Sequence, residues 1–533
     1  GADLTVEAGL IAADANSGGT TTYELVADGA GDVTVNSLAA DLDASSGGGV
    51  LDVTTAADAV VDILAGSGNA IVEASGAGSD VTVSVAEMSQ GIRMTALGSG
   101  DVTVNEVGTG VVVDGDGSGQ DPVLAGAFDV NLKAGATGVI VLTGSAATRV
   151  SGDAVGGSGG ATIDAGELLN DTDLTVAGSA AMTVEELVGD LRTEGASGPL
   201  TVTTADNTDD GTMIIEASEA ATAITADHGS DKITVEAGDL LDDEQLSLSG
   251  DSAFVVKDLV GDLDADAVSS EPGDPADRKL DVTLGQAQGI TIDSDRNATI
   301  DAAGESGGMV EDSVLLLSGS GDMTLDNVRA DIDASTSDGD LLINTVGVSG
   351  DNTTAALEIT TGTGSMTVNG VDAIENIEDI DIRVDATAMA DDLDGTVLKL
   401  QGSAEYELVN NAAADGTNKV EVDLSEASGS GRVDLLGPGE FDLIETSADI
   451  AANRAEGPLT ITTRVDAEDA ITVTAGSSGG LTVDAENAGD VITLEAAATV
   501  DDADDAEVDV SGGLGSYIAG NDPTGSGDVY ELG

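Results

Sequence analysis

One phrase recurs along this 533-residue chain and limits what it can fold into. It reads VTVNSLAADLDAS at 33–45, MTVEELVGDLRTE at 182–194, VVKDLVGDLDAD at 255–266 and MTLDNVRADIDAS at 323–335. With Val35, Val184, Val256 and Leu325 aligned, an apolar residue stands three places on, at Leu38, Leu187, Leu259 and Val328. Aspartate follows at the sixth place (Asp41, Asp190, Asp262, Asp331) and Leu42, Leu191, Leu263 or Ile332 at the seventh. Weaker copies start at Val85 (Met88, Ile92) and Val104 (Val107, Val111). Successive anchors at 184, 256 and 325 lie 72 and 69 residues apart, and self-similarity at a near-fixed period marks a repeat architecture.

Each copy reads as two short strands around a corner. In MTV, apolar residues alternate with Thr183, the period of a strand with one buried face. Leu187 fills the corner, Gly189 and Asp190 make the turn, and Leu191 points inward between polar neighbours. One copy cannot bury its apolar face alone, but stacked copies can, each strand lying about 4.8 Å from its equivalent in the next turn. The expectation is an all-β chain forming a single long right-handed parallel β-solenoid. Strand centres roughly every 8–12 residues suggest about three strands and 25–30 residues per coil, hence about 20 coils and about 100 Å of tube. Val35, Leu42, Val184, Leu191, Val256, Leu263, Leu325 and Ile332 are the expected core, with the four aspartates at equivalent corners.

Composition agrees with a thin core. Aromatic residues are 1% of the chain, with no Trp, so Val, Leu, Ile, Ala and Met must line the interior. Cysteine is absent, which excludes disulfides and thiolate metal sites. Against 101 acids stand 16 Lys and Arg, a net charge of −85. Such a chain repels nucleic acid and anionic membrane. No run of 18 apolar residues is present to insert into a bilayer. Acidity with few aromatics also describes disordered chains, but 41% hydrophobic residues in regular alternation argue for order. The N-terminal GADLTVEAGL has neither a basic nor an apolar leader region, as in a processed chain, an internal piece or a protein exported without a signal peptide.

Residues 1–533 read as one continuous solenoid, with proline-bearing surface insertions near 115–126 and 269–279. Residues 371–384, dense in Ile and acid, suit a strand pair or a short helical turn. The terminal segments Gly1–Leu10 and Val529–Leu532 offer unguarded strand edges for contact between subunits.

VDAIENIEDIDI at 371–382 resembles a recurring phrase of bacterial surface-layer proteins and of large secreted proteins of the repeats-in-toxin class. The end, GGLGSYIAGNDPTGSGDVYELG at 512–533, resembles a degraded form of that class's calcium nonapeptide. Gly512, Gly513, Gly515, Gly520, Asn521, Asp522, Gly527 and Asp528 match in kind, without the tandem register. The resemblance implies export by a C-terminal signal, folding outside the cell in calcium, and assembly on the cell surface.

Enzymatic chemistry finds little footing. β-Solenoids also carry polysaccharide lyases and hydrolases, but a lyase needs cations and a base, and carboxylate pairs are too common here to mark a hydrolase. His228, the single histidine, lies in the polar turn TADHGSDK and reads as a surface residue. Glycine-rich turns lack the Lys and helix of a phosphate loop. The sequons at Asn170, Asn297 and Asn352 are about as many as chance gives in so Ser/Thr-rich a chain.

Calcium is the remaining ligand. Asp41 and Asp43 flank an inward Leu42 and so project from one face, about 7 Å apart, with similar acids expected about 4.8 Å away on stacked strands. The candidate ligands are Asp41, Asp43, Asp262, Asp264, Asp331 and Asp333, with Asp522 and Asp528 added by the resemblance; the bland reading of each pair is a solvated acidic face. The expected function is an extracellular structural protein that polymerises into a calcium-stabilised surface layer or filament, with cell-surface polysaccharide as a further partner. A calcium-dependent adhesin or matrix stalk is the alternative, and a polysaccharide-acting enzyme a more distant one.

Overall fold

The computed structural model divides the chain into two units, Gly1–Arg278 and Lys279–Gly533. In the first it describes residues 3–8, 24–115, 124–169, 172–205, 212–227, 232–250 and 252–265. In the second it describes 280–285, 289–294, 297–302, 314–328, 330–345, 357–370, 382–387, 397–402, 404–412, 419–427, 432–446, 448–463, 470–475, 481–485, 491–496, 508–512 and 516–519. His228, Asp522, Asp528 and the insertion at 269–279 lie outside these residues, as do 116–123 of the loop near 115–126 and 371–381 of the Ile-rich stretch.

In each unit the strands are parallel and alternate between two sheets. In the first unit Leu4–Glu7 pairs with Val33–Leu38, and Val33–Leu38 with Leu51–Thr55. The intervening Glu24–Val26 and Asp41–Asp43 pair with each other, and Asp41–Asp43 with Val60–Leu64, in the second sheet. Every strand therefore skips its neighbour in sequence and joins the one after. The second unit follows the same rule from Leu280–Leu284 with Ala298–Asp301 to Val491–Ala496 with Ser516–Ala519. The fold is a parallel β-solenoid.

The expected coil of three strands is corrected to two. Val33 lies beside Leu51, 18 residues on, and Leu246 beside Leu263, 17 residues on, too few for three strands and three turns. Strand spacing in the sequence reports how often the chain turns, not how many turns close a coil. The interior is thin. In the second unit Tyr406, on one sheet, donates its hydroxyl to the carbonyl of Gln401 on the other at 2.7 Å.

All eight expected core residues are buried. The alternation that places them is regular, as in Leu51–Thr55, whose first, third and fifth residues face inward. Burying a Val or Leu side chain is worth about 1.5–3 kcal/mol, so a register slip of one residue, which would turn all of them outward, is strongly disfavoured.

The repeated phrase is a bend of fixed design. A glycine with φ near +95° precedes by eight residues a non-glycine residue that also has positive φ. The pairs are Gly98 and Glu106, Gly178 and Glu186, and Gly250 and Asp258 in the first unit, with Gly319 and Asn327, and Gly437 and Glu445, in the second. Gly29 (φ 135°) and Ser37 (φ 56°) form a looser copy. The glycine is required twice over. A Cβ on Gly178 would lie 2.2 Å from the carbonyl oxygen of Gly152, which accepts the amide of Ala180 at 3.0 Å. Glu186 then bulges the strand, so the register with the next turn shifts between Val184 and Leu187 and the chain enters the corner.

In the first unit these bends fall on Val33–Leu38, Asp101–Val107, Ala181–Leu187 and Ala253–Leu259, each seven strands after the last. With two strands per coil, seven strands make three and a half coils, so successive bends fall on alternate sheets. Val104 thus belongs to a full copy of the bend, although Gly110 stands where the phrase has aspartate. Val85 does not: it closes a different turn, where the Met88 amide bonds to the Val85 carbonyl, as Leu168 does to Ala165 and Leu240 to Ala237. That turn also recurs every seven strands.

Candidate functional site: the outer acid ladders

The corner aspartates act as clips between coils. The Asp41 carboxylate accepts the backbone N–H of Asp62 at 3.1 Å, Asp190 that of Ile214 at 2.9 Å, and Asp331 that of Glu358 at 2.9 Å. Each recipient lies on the strand stacked on the aspartate's own. Asp449 makes the same bond to Thr472 at 2.7 Å and marks a fifth copy of the phrase, Leu443–Ile450. It escapes the sequence pattern because Thr446 stands where the other copies have Leu or Val.

A second family stands three residues after the bend glycine. Asp32, Asp101 and Asp322 accept the amides of Val50, Ala127 and Asp340 at 2.8–3.0 Å. Each unit also holds a side-chain ladder that sequence reasoning missed. Asn131 donates to Asn105 and accepts from Ser151; Asn344 donates to Asp326 and accepts from Asn369. Their signal was present, since Asn105, Asn131 and Asn369 follow alternating triplets (VTV, FDV and MTV), but its meaning depends on knowing which strands stack.

The six described calcium candidates do not converge. Asp41 stacks on Glu24, but Asp43 stacks between Val26 and Leu64. Asp262 and Asp264 stack on Gln245 and Ser247, and Asp331 and Asp333 on Val314 and Leu316. Asp43 and Asp333 thus meet no acid on either side, Asp262 and Asp264 meet none on the described side, and Asp331 is followed by Glu358 alone. The Asp43 carboxylate is also occupied by the Ser45 hydroxyl at 2.6 Å and the Ser45 amide at 3.0 Å, which hold it below the usual carboxylate range. Asp333 accepts the Ser335 amide at 3.0 Å. Among the described residues no group of three or more His, Asp or Glu side chains comes together to hold a metal. Calcium wants several oxygens at 2.3–2.6 Å, and the carboxylates of Asp41, Asp331 and Asp333, each committed to a backbone amide of another residue, do not converge to supply them. The six residues do not fit a resident calcium ion.

The scarce cations are placed against stacked acids. In the second unit Arg432 grips Asp434 through two nitrogens at 2.7 and 3.2 Å. Arg454 bridges Asp434 and Glu407 at 3.3 and 2.8 Å, and Arg383 reaches Glu407 at 3.4 Å. In the first unit Arg192 joins Asp173 and Glu216, and Arg93 covers the buried Asp114. Asp129 is different. Burial pushes its carboxyl up, Arg149 opposes this, and Asp101 and Glu194 add to it, while the Arg149 guanidinium is itself bonded to Glu194 at 3.3 Å.

No family model matches the chain, and neither a curated protein nor a solved structure matches it. Among the described residues no helix is long and apolar enough to cross a membrane.

Proposed function

We propose that this chain is an extracellular structural protein whose copies assemble into a surface layer or filament. The observation that carries the reading is the seven-strand repeat. It sets the same glycine-to-corner bend on alternate sheets of the first unit, and so offers equivalent features to neighbours on two sides. The outward acids favour the same reading, since they serve coil-to-coil bonds instead of gathering around a substrate-sized site. Calcium enters as a counterion bridging acids between molecules, where it neutralises charge that 16 basic residues cannot. An adhesin or matrix stalk would use the same rigid repeat, with its binding module elsewhere.

Negative-stain imaging and sedimentation of the purified chain, with and without millimolar calcium, test this. Ordered sheets or filaments are expected. A chain that stays monomeric at every protein, salt and calcium concentration overturns the assembly reading.

A further inference from the structure

In a molecule of net charge −85, two copies can meet closely only where charge is missing. The second sheet of the first unit has one uncharged run, Leu64, Ser84, Asn105, Asn131, Ser151 and Ala177, whose Asn and Ser side chains are bonded to one another, beside a charged column. That charged column runs Asp62, Thr82, Thr103, Asp129, Arg149, Thr175, Arg192. The first sheet has a column of another kind. Val112, Ile140, Thr162, Thr183, Thr201, Ala223 and Ser247 stand in register on seven successive strands, and none is charged. Beside its lower half runs a second uncharged column, Thr203, Thr225 and Ser249, whose last two hydroxyls bond at 2.8 Å. Charge returns at Arg93 on one end and at Asp264 on the other, with Asp164 and Glu185 along one side.

We propose that this band is the contact between copies: the same band of a second copy packs against it, face to face, about a local two-fold axis. This rests on the assembly reading and names its surface. Three features favour a second copy as the occupant. The band is self-complementary in charge, being neutral against neutral, so pairing buries no carboxylate. Its outward side chains are short, β-branched or small, and Ile140 is 41% exposed, so apolar methyl groups meet in the contact. Its flanking acids would stand at the rim, in reach of water and counterions. At about 4.8 Å per strand and about 10 Å wide, the band covers roughly 300 Å². A stable standard interface needs about 800 Å² from each partner, so one such contact is weak, and it holds only where many copies are joined.

The test places charge in the band. Thr162→Asp with Thr201→Asp should weaken self-association of the full chain roughly a hundredfold or more, since each new carboxylate faces its own copy across the axis. Thr82→Asp with Thr175→Asp, on the opposite sheet, adds the same charge and should leave association unchanged. Sedimentation over a range of protein concentrations reads the result, with circular-dichroism melts to show that both variants fold. If the wild type associates and the band variant associates as well, the band is overturned while assembly stands. Equal loss of association in both variants overturns the band too, because net charge then explains the loss. If the wild type never associates, the assembly reading itself falls.

Discussion

Gly178 and Glu186, eight residues apart, both hold left-handed backbone, with φ of 90° and 55°, the first closing the strand Asp173–Gly178 and the second bulging the next strand, Ala181–Leu187, toward its corner. They hold it for different reasons. Gly178 has a carbonyl 2.2 Å from where a Cβ would stand, whereas Glu186 is an exposed side chain on a strained residue. Gly178→Ala should therefore destabilise the fold by about 1–3 kcal/mol or more, strain that the packed turn cannot release. Glu186→Gly should stay within about 1 kcal/mol of wild type, because relief of left-handed strain offsets the added freedom of the unfolded chain. Chemical denaturation of the two variants checks the contrast, and equal losses would refute the assignment.

Thr446 tests the repeat from another side. It is fully buried at the corner, its hydroxyl has no hydrogen-bond partner, and the aligned positions hold Leu38, Leu187 and Val328. Removing an unsatisfied buried hydroxyl while keeping its shape gains roughly 1 kcal/mol. Thr446→Val should raise the melting temperature, while the same change at Thr345, whose hydroxyl donates to the Asn369 carbonyl, should lower it.

How far the sequence discloses the fold can be argued from these same residues. Leu42, Leu191 and Leu263 announce their burial by alternation alone, because the strand period converts spacing directly into facing. The number of strands per coil is hidden, since it depends on how far every turn between strands swings the chain, which side-chain alternation does not record. The acids are hidden for a related reason. Asp41 and Asp43 are two residues apart and look like a pair, but what each meets is set by strands up to 21 residues away, where Asp62 offers an amide and Leu64 a methyl group.

Two carboxylates should respond to pH in opposite senses. Asp43 is held below its ordinary range by Ser45, so its contribution to stability is present above the unfolded carboxylate pKa and is lost as pH falls through the lower folded value. Asp129 is pushed up by burial, so its contribution is full below the unfolded pKa and is lost as pH rises through the folded value. Asp43→Asn should lower the melting temperature at pH 7 and cost less near pH 3. Asp129→Asn should raise it at pH 7, with the gain shrinking on acidification. Melts of the two variants at both pH values decide this, and shifts of the same sign would contradict the assigned environments.

The last expectation separates screening from bridging. Two carboxylates about 4.8 Å apart repel by roughly 0.9 kcal/mol in water and about 3.5 kcal/mol at an effective dielectric of 20. Such stacked pairs are present, as Asp80 beside Asp101 and Asp301 beside Asp326. Summed over a chain of net charge −85, repulsion of this size rivals the roughly 5–15 kcal/mol that holds a typical domain together. Molar salt shortens the screening length from about 8 Å to about 3 Å, and any monovalent salt does so. Because the six described candidate aspartates do not form a calcium cage, sodium alone should raise the melting temperature of the isolated chain. A chelator at constant ionic strength should leave that temperature unchanged, and yet should dissolve assemblies, because bridging calcium acts between molecules. Melting and sedimentation are read on the same samples. A melting temperature that falls on chelation and recovers with millimolar calcium, but not with equal sodium, would place a resident calcium ion within the chain. Assemblies indifferent to chelation would remove calcium from the function and leave the acid as an adaptation to salt.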